Sequence, residues 1–278
     1  MIEEAARVIE DADALLVTAG AGMGVDSGLP DFRGNEGFWK AYPPYRRLGR
    51  GFVEMANPRG FLEDPEFAWG FYGHRLNLYR ATAPHRGFAR LLRIGQSKPG
   101  GYFVFTSNVD GQFQKAGFDE DRVVECHGSI HHLQSVHGPS TAIWPAAGVK
   151  VEVDETTMRA RPPLPGCPDG GGLARPNILM FGDFGWLPYR TDEQMRRFES
   201  WISGLRDRRV AVVECGAGEA VPTVRHQSQR IASRLPGARL IRINVRDSHV
   251  PPGDALGLAM GADEALRGIE DALGAAQR

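Results

Sequence analysis

The chain has 278 residues, of which 42% are hydrophobic and 24% charged, with a formal net charge of −1. This composition is typical of a globular protein with one large core or two unequal lobes, and the near-neutral charge gives no case for nucleic acid or an anionic membrane surface as a partner. No apolar run approaches the ~18 residues of a membrane span, and three scattered cysteines form no disulfide framework, so we expect a cytoplasmic protein.

The first two predicted elements are a helix and a strand that leads into a glycine turn. Apolar residues at helical spacing predict an amphipathic helix over residues 2–12, and the run 14–17 predicts a buried strand. Gly20-Ala21-Gly22-Met23-Gly24 follows at once. Such glycines let the backbone approach a pyrophosphate, and the next helix N-terminus offers N–H groups to the anion. Val25 stands where the dinucleotide fingerprint has its third glycine, so an ordinary strand-to-helix turn stays open here.

The continuation of this turn is more specific. The stretch 20–34, GAGMGVDSGLPDFRG, resembles the NAD-binding signature of the sirtuins, the NAD-dependent protein-lysine deacylases, with Gly24 where that family usually has serine. The resemblance implies that the turn binds NAD and that Phe32 and Arg33 close over the reacting ribose. The NAD-binding residues implied here are Gly20, Ala21, Gly22, Asp31, Phe32 and Arg33.

The next segment combines an aromatic loop with a predicted helix. Residues 35–60 read as an irregular loop rich in proline and aromatic residues, which suits a lid over a cofactor. On the helix predicted over 61–80, Tyr72 and Arg75 share a face, and together they can bind a carboxylate. They are similar to the Tyr-x-x-Arg pair of sirtuins that remove succinyl and malonyl groups. The alternative is an arginine in a surface ion pair beside a packing tyrosine.

Polar residues follow two further predicted strands. Ser107, Asn108 and Asp110 come after the strand 102–105, where α/β folds place their chemistry, although such residues alone usually form a turn. This stretch resembles the family's TQN-[IV]-DG motif, with Ser107 in place of glutamine. His127 ends the strand that begins at Val123, inside a pattern similar to E-x-HG-[ST]. Imidazole titrates near neutrality, and the resemblance implies that His127 is the base that accepts a ribose-hydroxyl proton. It also implies that Asn108 and Asp110 position nicotinamide and a water, and that Ser107 lies at the nicotinamide-side ribose.

The resemblance fails over residues 130–175, where most sirtuins carry two cysteine pairs that hold zinc. Only Cys167 matches one of those four positions, and one cysteine cannot make a closed tetrahedral site. A replacement set of His131, His132, His137 and Cys167 has no recognised zinc spacing, so we expect no metal. Alternating apolar residues over 149–153 predict instead a half-buried strand in a small β-rich module.

The match resumes at Arg175, where RPNILMFGD is similar to the family's RP-x-[VI]-V-x-FGE, with Asp183 for glutamate. The resemblance implies that this stretch pairs with an extended acyl-lysine peptide by strand addition. The implied peptide-binding residues are Ile178, Met180, Phe181 and Gly182. After the strand 210–213, Gly216 and Ala217 stand where the family's Gly-Thr-Ser binds NAD, and Asn244 matches its IN-x-[ED] contact with the adenosine ribose.

Helices at 195–205, 231–235 and 262–273 alternate with these strands and predict a parallel, doubly wound sheet. We expect an α/β protein with a Rossmann-like lobe of residues 1–35, 81–127 and 176–278. Two insertions, 36–80 and 128–175, would form a smaller lobe. The implied activity is deacylation of an acyl-lysine protein or peptide with consumption of NAD and release of nicotinamide. Two alternatives stay open: an ADP-ribosyltransferase or NAD glycohydrolase on the same fold, and a non-catalytic sensor of NAD or ADP-ribose.

Overall fold

The computed structural model describes residues 1–31, 34–137 and 141–276. The strands are β1 (Ala14–Ala19), β2 (Tyr102–Thr106), β3 (Val123–Glu125), β4 (Gly128–Ser135), β5 (Ile143–Pro145), β6 (Val153–Asp154), β7 (Arg159–Ala160), β8 (Ala174–Ile178), β9 (Val210–Cys215), β10 (Ala238–Ile243) and β11 (Leu256–Leu258). The helices are α1 (Ile2–Asp11), α2 (Gly34–Ala41), α3 (Pro43–Arg47), α4 (Phe52–Met55), α5 (Gly60–Glu63), α6 (Pro65–Ala81), α7 (Arg86–Ser97), α8 (Gln112–Lys115), α9 (Tyr189–Ser203), α10 (Thr223–Arg234) and α11 (Ala262–Ala276).

Six strands form one parallel sheet in the order β11-β10-β9-β1-β2-β3. All six residues of β1 are buried, as its apolar sequence predicts, and β1 pairs with β9 from Ala14 opposite Val210 to Ala19 opposite Cys215. The chain runs from β1 to β2 on one side and later to β9 on the other, so the strand order reverses at β1. A crevice opens at the carboxyl ends of strands at such a point, and the predicted doubly wound α/β fold is confirmed.

Helices cover both faces of this sheet. One face packs against α1, α7 and α11, whose apolar stripes include Ile9, Leu91 and Leu266. The other face packs against α9 and α10 through Phe198 and Ile231. The amphipathic patterns at both ends of the chain therefore correspond to α1 and α11, which pack on the same face of the sheet. These two helices contact each other directly.

The remaining elements surround an antiparallel sheet, β5-β4-β8, and the long helix α6. A separate apolar cluster joins aromatic residues of α2, α3 and α6 to this sheet, and the Trp69 indole N–H of α6 donates to the Ala174 carbonyl of β8 at 2.9 Å. The expectation of an irregular loop over 35–60 was wrong, since short helices α2 to α4 occupy much of it. Prolines and glycines limit these helices to one or two turns each. The division of the chain into two lobes at the stated boundaries stays a prediction.

The strand expected over 149–153 is also shorter than predicted. The observed strand is the two-residue β6, Val153 and Asp154, which pairs with β7. The Val149 and Val151 carbonyls instead accept hydrogen bonds from the Arg80 and Asn77 side chains of α6, at 2.6 and 2.8 Å. Val151 is buried against α6, so the alternating pattern correctly indicated which side chains face inward but not which partner they have.

Candidate active site

The glycine turn after β1 lies against the end of β9 with no room for side chains between them. The Gly22 N–H donates to the Gly216 carbonyl at 3.0 Å. A Cβ built on Gly20 would lie 2.8 Å from the Ala217 Cα, and one built on Gly216 would lie 2.3 Å from the Gly22 carbonyl carbon. Gly216 also has a φ of +64°, which side-chain-bearing residues rarely adopt. These glycines are therefore required by direct contact between two backbones.

A cleft of about 210 Å³ opens beside this contact. Of the predicted NAD-binding residues, Gly22, Asp31, Gly216 and Asn244 line it. Sequence reasoning missed the rest of the lining, which is Val25, Asp26, Ile243, Val245, Arg246, Met260, Gly261 and Ala262. Residues 260–262 follow β11, a three-residue strand whose short apolar stretch gave no recognisable signal. Ala21 is exposed at the start of the turn, and the predicted residues Phe32 and Arg33 lie outside the described residues.

The Asn244 side chain ties two loops of this cleft together. Its Nδ2 donates to the Ala217 carbonyl at 2.8 Å, and its Oδ1 accepts from the N–H groups of Arg246 and Asp247 at 3.1 Å. Ala217 is buried and its carbonyl also accepts from Arg225 at 3.3 Å. Asn244 thus holds the cleft wall with its side chain, and the side chain is only 4% exposed.

The loop after β2 is bonded to the glycine turn. The Ser107 N–H donates to the Ala19 carbonyl at 3.1 Å, and the Asn108 Nδ2 donates to the Gly20 carbonyl at 3.1 Å. The Thr106 hydroxyl links the same segments, since it donates to the Ala19 carbonyl and accepts from the Asn108 N–H. The structure therefore brings together the predicted segments at 20–22 and 107–110, which are distant in sequence.

His127 lies two residues beyond β3 and joins this group. Its ring is half-buried and lies close enough to the Ser107 backbone for that backbone to act on its pKa. Burial lowers the pKa of His127 below the ordinary 6.5, while the Ser107 backbone acts in the opposite direction. The His127 carbonyl accepts from the Leu179 N–H at 2.9 Å, which places the predicted peptide-binding stretch directly beside it. A neutral imidazole next to this stretch is suited to accept a proton.

Asp110 is the buried acid of the site. Burial raises its pKa to about 6, the nearby Glu125 carboxylate acts in the same direction, and the Gln112 N–H and the Arg75 charge oppose both. Its Oδ1 accepts from the Gln112 N–H at 2.9 Å, and its carbonyl is 2.9 Å from the His131 Nε2. His131, considered above as a metal ligand, is thus committed to the backbone of the site.

The predicted peptide-binding residues follow the end of β8. Ile178 and Met180 are buried, whereas Phe181 and Gly182 are exposed. Arg175 and Asp183 hold this segment through a buried two-point ion pair of 2.7 and 2.9 Å. The Phe181 N–H donates to the Ala56 carbonyl of the segment after α4, so the stretch spans from His127 to the helical insertion.

Tyr72 and Arg75 lie on α6 and are both buried, so the expected alternative of a surface ion pair is wrong. The Tyr72 hydroxyl has no hydrogen-bond partner among the described residues. Arg75 lies against the rings of Phe71, Tyr72 and Tyr79, with its guanidinium carbon 5.2 to 5.7 Å from their centres. Its charge is close enough to Asp110 to act on the pKa of that carboxyl. The pair therefore lies next to the predicted nicotinamide-binding residues.

The described residues of the 130–175 segment bring together no ligand set for a zinc ion. Within 1–31, 34–137 and 141–276, no three His, Cys, Asp or Glu side chains come close enough to hold a metal. Cys167 lies in a turn closed by hydrogen bonds: its N–H donates to the Gly172 carbonyl at 2.8 Å, and the Gly170 N–H donates to the Cys167 carbonyl at 3.0 Å. Backbone bonds therefore close the turn that a metal would otherwise organise. In the same described ranges, no helix is both long and apolar enough to cross a membrane.

Comparisons with known proteins agree with this geometry. The family model described as the Sir2 family matches residues 20–200. An NAD-dependent protein deacylase of Thermus thermophilus is 30% identical over 268 residues, which cover 95% of this chain and 92% of that protein. Another from Aeropyrum pernix is 29% identical, covering 98% and 97%. The crystal structure of a Sir2 homologue bound to NAD is 28% identical, with a TM-score of 0.65 over 96% of this chain and 93% of that one.

Proposed function

The chain belongs to the Sir2 family and is an NAD-dependent protein deacylase, and we propose that His127 is its general base and that its acyl site prefers acyl groups bearing a carboxylate. The observation that carries the first proposal is the convergence of three segments: Asn108 bonds to Gly20, and the Cys126 N–H, beside His127, donates to the Thr106 carbonyl at 2.9 Å. A turn with no catalytic role would not require a half-buried histidine ring where these three segments meet.

The cleft residues fit a dinucleotide. The glycine contact at Gly20 and Gly216 keeps side chains away from the crevice floor, which lets a pyrophosphate approach the backbone. We assign Asn244, in the cleft wall, to the adenosine ribose, and Asn108 and Asp110 to nicotinamide. When bound, NAD supplies an activated ribose carbon and the nicotinamide leaving group.

The remaining steps belong to the residues of this chain. With NAD bound, His127 would accept the proton of a ribose hydroxyl and so make that oxygen a better nucleophile toward the acyl carbon. Because burial lowers the pKa of His127 below 6.5, the imidazole is neutral at pH 7 and able to act as a base. Asp110 and Asn108 orient the amide and a water. The backbone at 178–182, beside His127, binds the substrate peptide by strand addition.

The acyl preference rests on Tyr72 and Arg75. A guanidinium and a phenol, both buried, are suited to a carboxylate because charge-assisted hydrogen bonds are strongest away from water. An acetyl group has no charge to match Arg75. We therefore propose succinyl-lysine or malonyl-lysine as better substrates than acetyl-lysine.

A panel of acyl-lysine peptides incubated with NAD and analysed by mass spectrometry tests both proposals. We expect nicotinamide release and an acyl-ADP-ribose product, with a loss of kcat/KM of ~10²–10⁴-fold in His127→Asn. The matched control is His137→Asn at an exposed histidine, which should keep wild-type activity. Free ADP-ribose without acyl transfer would indicate a glycohydrolase instead, and wild-type turnover in His127→Asn would exclude the assigned base.

A double variant tests the acyl preference separately. Tyr72→Phe with Arg75→Met should reduce removal of succinyl groups far more than removal of acetyl groups, since it removes the hydrogen-bond donors but keeps apolar volume. Equal losses for both acyl groups would contradict the proposed role of this pair. The base assignment at His127 would not be affected by that result.

A further inference from the structure

Arg75 is hydrogen-bonded to Tyr79, a residue that the sequence pattern did not identify. The Tyr79 hydroxyl accepts from Arg75 Nε at 3.0 Å and from Arg75 Nη2 at 2.8 Å. Tyr79 lies one turn further along α6, and it is 5% exposed, so water does not compete strongly for either hydrogen bond. One edge of the guanidinium is thus fixed on a single oxygen atom.

Such a two-point contact determines the direction of the guanidinium plane. Arginine presents its N–H groups in a rigid planar fork, so holding one edge also fixes where the other N–H groups point. The ring faces of Phe71, Tyr72 and Tyr79 surround the same group. Bidentate recognition of a carboxylate depends on this orientation, because hydrogen bonds weaken steeply when donor and acceptor are misaligned.

The position of Tyr79 is itself determined by the helix and its neighbours. The carbonyls of Tyr79 and Thr82, at the end of α6, lie 3.4 and 3.3 Å from the Gln112 Nε2, and Lys115 donates to the Thr82 carbonyl at 2.7 Å. Gln112 directly follows the Asp110 loop, whose Oδ1 accepts from its N–H. These contacts hold the backbone that carries Tyr79, and burial in the aromatic cluster restricts the phenol itself.

We propose that Tyr79 is a positioning residue for acyl selectivity, which orients Arg75 toward the carboxylate of an acidic acyl group on lysine. This inference rests on the proposed acyl preference. It assigns to Tyr79 no contact with the acetyl part of a substrate or with NAD. Removing one hydroxyl should therefore change which acyl group is preferred while leaving the reaction itself intact.

The experiment compares Tyr79→Phe with Tyr45→Phe in the full-length protein. Tyr45 lies in the same aromatic cluster, and its buried hydroxyl has no hydrogen-bond partner in the described ranges, so the two substitutions remove the same group with and without a partner. Peptides of one sequence carrying succinyl-lysine or acetyl-lysine are the substrates. We expect Tyr79→Phe to lower kcat/KM for the succinyl peptide ~10- to 100-fold, mainly through KM, because hydrogen bonds to a buried charge are lost.

The acetyl peptide serves as the internal control. The kcat/KM for the acetyl peptide should stay within about threefold of wild type in both variants. Tyr45→Phe should also leave kcat/KM for the succinyl peptide unchanged. Equal losses for both peptides in Tyr79→Phe would show a general structural role and overturn the inference. A succinyl loss in Arg75→Met but none in Tyr79→Phe would overturn it while leaving the proposed function standing. A wild-type enzyme that removes only acetyl groups would refute the acyl preference, and this inference with it.

Discussion

Alanine in place of Gly216 is expected to separate the ends of β1 and β9 and weaken binding at the crevice. The new Cβ would lie 2.3 Å from the Gly22 carbonyl carbon and from the Met23 nitrogen, which are backbone atoms that cannot rotate away. The comparison is Gly101→Ala, at a glycine of nearly the same φ, +67° against +64°, where an added Cβ meets open space. The two variants therefore share the backbone strain and differ in the steric clash.

The magnitude follows from these two terms. A left-handed backbone costs an alanine ~1–2 kcal/mol, which both variants incur. Overpacking adds ~1–3 kcal/mol at Gly216 alone. We expect the free energy of unfolding to fall by ~1–2 kcal/mol in Gly101→Ala and by ~2–5 kcal/mol in Gly216→Ala.

Urea unfolding measures the change in the free energy of unfolding, and titration calorimetry measures the affinity of the crevice for ADP-ribose. Because the added Cβ would displace backbone that lines the crevice, we expect a loss of ~1.4–2.8 kcal/mol in binding, so the Kd for ADP-ribose should rise ~10- to 100-fold in Gly216→Ala and stay unchanged in Gly101→Ala. Equal Kd values for the two variants would refute the reasoning, because the glycine contact would then have no bearing on ligand binding.

Three further outcomes are expected. Asp183→Ala should lower the free energy of unfolding in urea by ~3–5 kcal/mol, because it leaves the Arg175 charge buried without its two-point partner, and a loss below 1 kcal/mol would contradict this. Asp110→Asn should inactivate the enzyme yet raise its free energy of unfolding by ~1–3 kcal/mol near pH 8, because burial raises the pKa of Asp110 to about 6 and ionisation of the buried carboxyl above that pH costs stability. The gain in stability should vanish near pH 4, where the carboxyl is protonated in the folded protein. Equal destabilisation at both pH values would contradict this prediction. Prolonged dialysis against a chelator should leave the melting temperature and deacylation unchanged, because backbone hydrogen bonds close the Cys167 turn, and recovery of lost activity by added zinc would reverse that conclusion.

The parts that could be predicted from sequence depend on local patterns. The strand before Gly20 and the strand that leads to His127 are short apolar runs followed by polar residues, so their order and their shared edge of the sheet follow from α/β topology. The convergence of the glycine turn with Asn108 also follows, because the carboxyl ends of neighbouring parallel strands meet.

What could not be predicted depends on contacts between distant residues. The Val149 and Val151 carbonyls accept hydrogen bonds from side chains of α6, and no sequence pattern within 149–153 predicts that these carbonyls contact α6. The Asn244 side chain bonds to Ala217 in another loop. Nothing in the sequence pattern distinguishes Tyr79, since its two hydrogen bonds to Arg75 depend on where the side chains lie.

The central position of β1 has a consequence for how the protein is made. β1 precedes β9 by almost 200 residues and is completed on one side by it, in a register that begins with Ala14 opposite Val210. Until that late segment emerges, an edge of unpaired backbone amides and carbonyls stays open to other nascent chains. The sheet is thus completed only after the C-terminal part of the polypeptide has been made. A chain truncated before β9 would expose an unpaired strand edge and be prone to aggregation, so it would not form a smaller enzyme.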